Sequence, residues 1–493
     1  MKTISASFSA AKARRWFNCG LRISDFGLGN PQSAIRNPKC GRLAGFVLSL
    51  VFGVAASANP FIPAAPARAP LLLTGGQVFT VSGPVLPKAD ILIVDGRIAQ
   101  IAPAIKPAGG TEIVDVSGRR VYPGLIAAQT QLGLWEIGML RQTLDVAEIG
   151  QINPNARTQT AINPDSELIP VTRANGILTA LAVPFSRAAS GSRTNLIAGT
   201  STLLRLDGWT SEDITLRASI AMHVYWPAQR LNRDGRLTKS LAAQQKDADA
   251  VVRTLDDAFV SAANYARAKA AGTTRDTDLR WEAMLPLLRG EQRVFVHADE
   301  LKQIRGALAF ARKHQLKITI AGGLDAWRVA EDLKAADVPV IVGGIDRLPL
   351  RRDDEVEAAY ANPARLHAAG VRFCIASSLE NPGDDGNQRN LAYHAARAAA
   401  HGLPPEMALR AITLSAAELL GVGAELGSIE VGKRATLIVT DGDPLEIPTQ
   451  VQMAFIDGGK IDLRSRHTQL YEKYQERLKR LKEQRPGVLP ATQ

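Results

Sequence analysis

Apolar and polar positions alternate in two ways along this chain. From Leu71 to about Tyr122 the apolar runs are short and interrupted by turn residues. Asp90 to Val94 and Arg97 to Ile101 are two such runs around Asp95-Gly96, the pair that suits a two-residue hairpin turn. Phe455 to Ile461 repeats the device around Asp457-Gly458, and Gly427 to Pro444 reads as strand, turn, strand. In the middle, Arg293 to Ala298, Lys317 to Ala321, Val338 to Gly343 and Val371 to Ala376 are apolar runs of strand length. They alternate with helical spacing at Glu300 to Lys313, Asp325 to Ala335, Asn390 to His401 and Pro404 to Leu420, the last with Gly421 as its stop. Strand–helix alternation predicts a parallel sheet. With a chain of 493 residues it favours a (β/α)8 barrel over a doubly wound sheet.

Charge is concentrated at the two ends. The net charge is +11, yet residues 1–58 alone hold eight Lys/Arg against one Asp. Residues 466–493 hold seven Lys/Arg against three Glu. The middle is therefore close to neutral, which argues against a nucleic-acid-binding body. Within the first segment, Arg42 precedes an apolar run over about 43–56 and the small-residue pattern Ala56-Ser57-Ala58. This is a signal-peptide pattern, with cleavage expected after Ala58 and a periplasmic or secreted mature chain. The run is short of the roughly 20 residues that span a bilayer. Residues 59–70 are rich in Ala and Pro and read as a linker, and the charged tail 466–493 reads as a solvated helix ended by Pro486. Of three cysteines, Cys19 and Cys40 lie in the leader. Cys374 sits in an apolar run and reads as a buried small residue.

One stretch carries the candidate chemistry. Val121 to Leu132 is a turn at Pro123-Gly124, an apolar run from Leu125 to Ala128, then Gln129, Thr130 and Gln131. Strand alternation puts Gln129 and Gln131 on one face at the end of the run. The stretch resembles the first barrel strand of the amidohydrolase superfamily, Pro-Gly-x-Ile-Asp-x-His-x-His, with glutamines where that family has histidines. Ala408 to Gly421 resembles that family's penultimate helix, Leu168 to Ala180 and Leu204 to Thr210 resemble an imidazolonepropionase-like bacterial subgroup of it, and the resemblance covers nearly all of residues 71–465. It implies a barrel at 123–423 and a composite β-sandwich built from 71–122 plus 424–465.

The family resemblance also implies a metal site that activates water. Its donors are two His on the first strand, one His each on the fifth and sixth, and an Asp on the eighth that serves as general base. Here those positions read Gln129, Gln131, His297, Ala321 and Ser378. Only His297 is a residual ligand candidate, and an amide oxygen is a neutral, weak donor for zinc. His297 is better read as a barrel-mouth histidine bonded to a neighbour such as Gln129. His223 is read as an unusual ligand or, preferably, as a residue shaping a loop with Trp226. Asp299, Glu300, Asp346, Asp384 and Asp385 are available carboxylates whose ordinary reading is surface charge.

No Gly-x-Ser-x-Gly elbow, P-loop or Cys-x-x-Cys occurs, and Ser190 and Ser192 have no assigned base. Two function classes remain. One is a non-catalytic or weakly active homologue that needs no cofactor and binds a small molecule or an intact amidohydrolase relative. The other is a genuine exported hydrolase of amides, cyclic amides or dipeptide-like C–N bonds, with zinc or another divalent metal held singly or at a relocated site. The residues favour the first. Neither class involves nucleic acid or a transmembrane span in the mature chain.

Overall fold

The computed structural model describes residues 61–65, 69–186, 195–229, 239–273, 276–377 and 384–484. The expected signal peptide and its cleavage site after Ala58, most of the linker, Ser190, Ser192 and Ser378 lie outside these residues. In chain order the strands are β1 Leu71–Phe79, β2 Val85–Val94, β3 Arg97–Ala102, β4 Glu112–Asp115, β5 Arg120–Pro123, β6 Leu125–Thr130, β7 Ile177–Ala182, β8 Ile197–Thr200 and β9 Thr202–Arg205. They continue with β10 Thr215–Arg217, β11 Ala221–Tyr225, β12 Arg293–Ala298, β13 Ile318–Gly322, β14 Val340–Val342, β15 Phe373–Ile375, β16 Leu437–Thr440, β17 Val451–Ile456 and β18 Gly459–Lys460.

The two ends of the chain meet in one eight-stranded sheet, in the order β18-β17-β16-β5-β1-β2-β3, with β4 pairing β1. Its hairpins form where the Asp-Gly pairs fall. Asp95 and Gly96 have φ of 49° and 74°, Asp457 and Gly458 of 49° and 76°, the left-handed pair that matches the twist of the flanking strands. The two turns also touch, because a Cβ on Gly96 would meet the Asp457 carbonyl oxygen at 2.8 Å. Leu73, Val78, Ile91, Ile93 and Val121 from one end share a buried core with Leu437, Val439 and Phe455 from the other. The strand–turn–strand expected over 427–444 is reduced to β16 alone.

The middle of the chain is mixed α/β. β11, β12, β13, β14 and β15 are parallel neighbours, and β8 joins β11 antiparallel. β6 and β7 are parallel in a separate four-stranded sheet with β9 and β10. The strands are thus distributed over two sheets, and no ladder among the described residues closes them into a ring. The two sheets nevertheless share an apolar cluster that includes Ile126, Ala128, Leu181, Phe295, Ile341 and Cys374.

The helix after β12 spans Leu301–His314, beginning where a capping box forms between Glu300 and Gln303. It buries Ile304, Ala307, Leu308 and Ala311, the i, i+3, i+4, i+7 stripe of an amphipathic helix. The single helix expected from Pro404 to Leu420 is two, Pro405–Ala411 and Leu414–Leu419. Thr413 leaves helical geometry between them (φ −133°, ψ −97°), and the Ile412 carbonyl accepts from Ile126 N of β6 at 2.9 Å. The backbone thus breaks helix to bond along β6. The helices that the sequence pattern does not announce include Leu241–Ala270, Leu279–Leu288 and Ala358–Ala369. Phe259 of the first sits edge-on to Phe310, ring centres 5.0 Å apart. No helix among the described residues is long and apolar enough to cross a membrane.

Candidate functional site

β6 carries a bulge that decides where its glutamines lie. Ala127 pairs with Ala180 and Thr130 with Ala182, so β6 has one residue more than β7 over the same span. An extra residue of this kind breaks simple alternation. Gln129 falls within the bulge and Gln131 just beyond the strand, both buried. Thr130 is held from two sides: its hydroxyl accepts from Leu132 N at 3.2 Å and its carbonyl from Val183 N at 2.9 Å.

His297 lies near the end of β12 and bonds a neighbour. Its Nε2 is 2.9 Å from Nδ1 of His223. His223 in turn is not in a loop but in the middle of β11, wholly buried. The Tyr225 ring stacks on the His297 imidazole at 3.9 Å and 6°, and its hydroxyl donates to the Pro184 carbonyl at 2.7 Å. Phe295 meets His223 edge-on at 5.5 Å. Burial pushes the His223 pKa down to about 3, so its imidazole is neutral and carries one proton. Its Nε2 is buried with no partner among the described residues. An orphaned lone pair costs less than an orphaned N–H, so the proton belongs on Nδ1, donated to His297. His297 Nε2 is then the acceptor, its lone pair directed at His223.

Ala321 is the register partner of His297 on β13 and brings no donor. Next to it, Gly322 (φ 98°) is a place only glycine fits, because a Cβ would fall on the Asp299 carboxylate. Ser377, just past β15, is buried, while Ser378 lies outside the described residues. The candidate carboxylates go elsewhere. Glu300 caps the helix Leu301–His314, and Asp299 stands 3.7 Å from Arg347. Asp346 pairs with Arg397 at 3.1 Å and His394 at 3.2 Å, and the His394 hydrogen bond holds its carboxyl below the usual range. Asp384 and Asp385 begin the 3-10 segment Asp384–Asn390. Burial raises the Cys374 thiol far above its ordinary value, which removes it as a nucleophile.

Sequence reasoning missed a clamp beside these positions. Arg351 donates to both oxygens of Asp325 at 2.9 and 2.6 Å, and Asp325 Oδ2 also accepts from Leu301 N at 2.9 Å. The guanidiniums of Arg328 and Arg365 each lie 4.3 Å from the Trp327 ring. The clamp ties the loop after β14 to the one after β13. Its partners are too far apart in sequence for any local pattern to pair them. A cavity of about 540 Å³ lies away from the family positions, lined by Arg97, Arg205, Trp209, Arg434 and Asp457. Its arginines are engaged: Arg205 and Arg434 share Asp457 Oδ2 at 3.2 and 2.8 Å, and Arg97 donates to the Gly432 carbonyl.

Comparison with known proteins gives the class. A profile of the Amidohydrolase family matches residues 297–462. The amidohydrolase tasK of Hapsidospora irregularis is 25% identical over 400 residues, which cover 75% of this chain and 39% of that protein's own length. An imidazolonepropionase of Symbiobacterium thermophilum is 24% identical over 412 residues, covering 75% of this chain and 90% of the relative. An amidohydrolase structure from Thermotoga maritima, 23% identical, superposes over 80% of this chain and 100% of its own with a TM-score of 0.68, a likeness of fold. The chain is thus similar to amidohydrolases, imidazolonepropionases among them, and its residues 297–462 carry the match to the family profile.

Members of this family usually bind divalent metals. The residues described here do not fit a two-metal centre. Gln129 and Gln131 offer neutral amides and Ala321 offers nothing. His297 shares its Nε2 with His223. Among the described residues no three His, Cys, Asp or Glu side chains gather to hold an ion.

Proposed function

We propose that this chain is an exported amidohydrolase homologue whose metal centre is largely lost, leaving a non-catalytic or weakly active barrel. The observation that carries the reading is the His223–His297 hydrogen bond of 2.9 Å, which commits the one retained family histidine to a neutral neighbour. A working centre of this type needs anionic and imidazole donors to offset the ion's charge and to lower the pKa of bound water to roughly 7. In the proposal β6, β7 and β11 to β15 are barrel strands, a reading supported by their parallel pairs, their shared apolar cluster and the superposable structure. The division into leader 1–58, linker 59–70, composite β domain 71–122 plus 424–465, barrel 123–423 and tail 466–493 belongs to the same proposal, as does export with cleavage after Ala58. The retained role is to bind a small molecule at the barrel mouth, or to pair with an intact relative.

A second reading is favoured by the same pair of imidazoles: a hydrolase of amide or cyclic amide C–N bonds that places a single zinc or similar ion between His223 and His297. The readings separate on turnover. Full-length protein, with and without added zinc or manganese, would be assayed on simple amides, cyclic amides and dipeptides. The first reading expects no hydrolysis, or a weak one that added metal does not raise. Metal-dependent turnover that disappears in both His223→Ala and His297→Ala would replace it with the second.

A further inference from the structure

The cavity of about 540 Å³ beside the two hairpin turns is not used by the proposed barrel chemistry. Its walls are held in place. The turns at Asp95-Gly96 and Asp457-Gly458 touch, and Arg97 and Arg434 are bridge partners, so the shared sheet fixes one wall. Ala64 N donates to Asp207 Oδ2 at 3.0 Å, and a Cβ on Gly459 would meet Ala64 at 3.2 Å, which fixes another. Trp209 is anchored by its backbone. Its N–H donates to Asp213 Oδ2 at 3.3 Å, and Thr210 caps the short helix Ser211–Ile214 through Asp213 N at 3.2 Å. Yet Trp209 is 64% exposed. A large indole left in water on a fixed turn beside a cavity is surface that a ligand can cover.

The charges of the lining cancel. It carries three arginines and four aspartates. Asp207 is neutralised by Arg173 at 2.8 Å, which leaves Arg97, Arg205 and Arg434 against Asp95, Asp213 and Asp457. An anion would meet carboxylates there and a cation guanidiniums, so neither gains a net attraction. Hydrogen bonding is not exhausted, however. The Arg97 side chain donates from Nη1 to the Gly432 carbonyl, and Arg205 from Nε and Nη1 to the Asp213 carbonyl and Asp457. Arg434 donates from Nε to Glu425 and from Nη1 to Asp457. Each guanidinium keeps Nη2 without a partner among the described residues. Asp457 accepts both arginines on Oδ2 and keeps Oδ1. Interleaved donors and acceptors of zero net charge suit ligand groups that are both at once, as hydroxyls are. A pyranose carries hydroxyls around its edge and C–H groups on its faces, and an indole covers such a face. The cavity also falls within the roughly 300–1,000 Å³ of small-molecule sites.

We propose that this cavity binds a neutral saccharide, with one sugar ring stacked on Trp209 and its hydroxyls bonded to the Arg97, Arg205, Arg434 and Asp457 side chains. The site is separate from the barrel mouth, since Gln129, Gln131 and His297 do not line it.

The test titrates the full-length chain with cellotriose, maltotriose and the trisaccharide of chitin, followed by calorimetry and by indole fluorescence. At least one is expected to bind with a Kd of about 1 mM or tighter. Its affinity should be the same at low and high salt, because a neutral ligand forms no ion pair for salt to screen. Trp209→Ala should weaken binding at least about tenfold and remove the fluorescence change. Arg97→Met, at an exposed side chain, should weaken it several-fold, and it carries the test if Trp209→Ala alters the melting temperature. Any of four results overturns the proposal: no binding of the three saccharides, binding that both variants leave undiminished, an affinity that falls steeply with salt, or binding of inorganic phosphate or of acetyl-trialanine amide in place of every saccharide.

Discussion

His223 Nδ1 lies 2.9 Å from His297 Nε2, two buried imidazoles on adjacent parallel strands whose only charged form is excluded by burial on the His223 side. This contact leads to a pH dependence with a definite sign. The folded His223 pKa, about 3, is below the ordinary value of 6.5, so the unfolded chain binds a proton that the folded one refuses. Stability from this group is therefore full above pH 6.5 and falls as the pH drops toward 3, with a slope approaching about 1.4 kcal/mol per pH unit. Carboxylates held low, such as Asp346 and Glu430, add their loss only below their unfolded values of 3.8 and 4.5. Urea unfolding between pH 6.5 and 5 should show the slope in the natural chain and lose it in His223→Leu. Equal slopes in both proteins would contradict the burial argument.

Arg173 and Asp207 form a buried pair at 2.8 Å, and Arg173 also donates to the Leu206 carbonyl at 3.1 Å. Burial lowers the Arg173 guanidinium and raises the Asp207 carboxyl despite their mutual attraction, so desolvation outweighs pairing. Arg173→Met should cost about 3–5 kcal/mol because it strands a buried charge. Arg173→Met/Asp207→Leu should recover most of that loss. A double variant as unstable as the single one would show that the pair is net stabilising.

Gly96 and Gly110 separate strain from contact. Both have positive φ, 74° and 82°, but only at Gly96 would a Cβ collide, with the Asp457 carbonyl at 2.8 Å. Gly110→Ala should cost about 1–2 kcal/mol of backbone strain. Gly96→Ala should cost clearly more, since it also pushes the two hairpins apart. Melting temperatures of the two variants decide this, and equal shifts would mean that the turns yield freely.

The sheet shared by both ends of the chain predicts a dependence between them. β16 pairs with β5 from Leu437–Pro123 to Thr440–Arg120, and Leu437, Val439 and Phe455 complete the core under β1 and β2. A fragment ending before residue 424 should expose that core and aggregate. A soluble, monomeric, cooperatively melting fragment of residues 71–423 would contradict the composite-domain proposal.

Much of this architecture was legible because local chemistry and tertiary pairing agree. The Asp95-Gly96 and Asp457-Gly458 turns, the strand ending at His297 and the amphipathic helix at 301–314 are each fixed by neighbours in sequence. The Pro404–Leu420 stretch was not legible, because its break at Ile412–Thr413 answers to β6, hundreds of residues earlier. The helix Leu241–Ala270 has a mostly polar surface and buries only Leu255, Ala258, Phe259 and Ala262, too thin a stripe to stand out. At the candidate site the substituted positions Gln129, Gln131 and Ala321 were visible in the sequence. The partnership of His297 with His223 was not, since it depends on β11 lying beside β12 in one register.

Metal content of the purified full-length chain tests the central claim most directly. With one retained family histidine bonded to a neutral neighbour, the account predicts well under one zinc, manganese or iron per chain by elemental analysis. It predicts no change in that content in His297→Ala, and a melting temperature indifferent to chelator, since no metal binding is coupled to folding. A stoichiometric ion that disappears in His297→Ala or His223→Ala would contradict it, and would show that the paired imidazoles are the core of a rebuilt hydrolase centre.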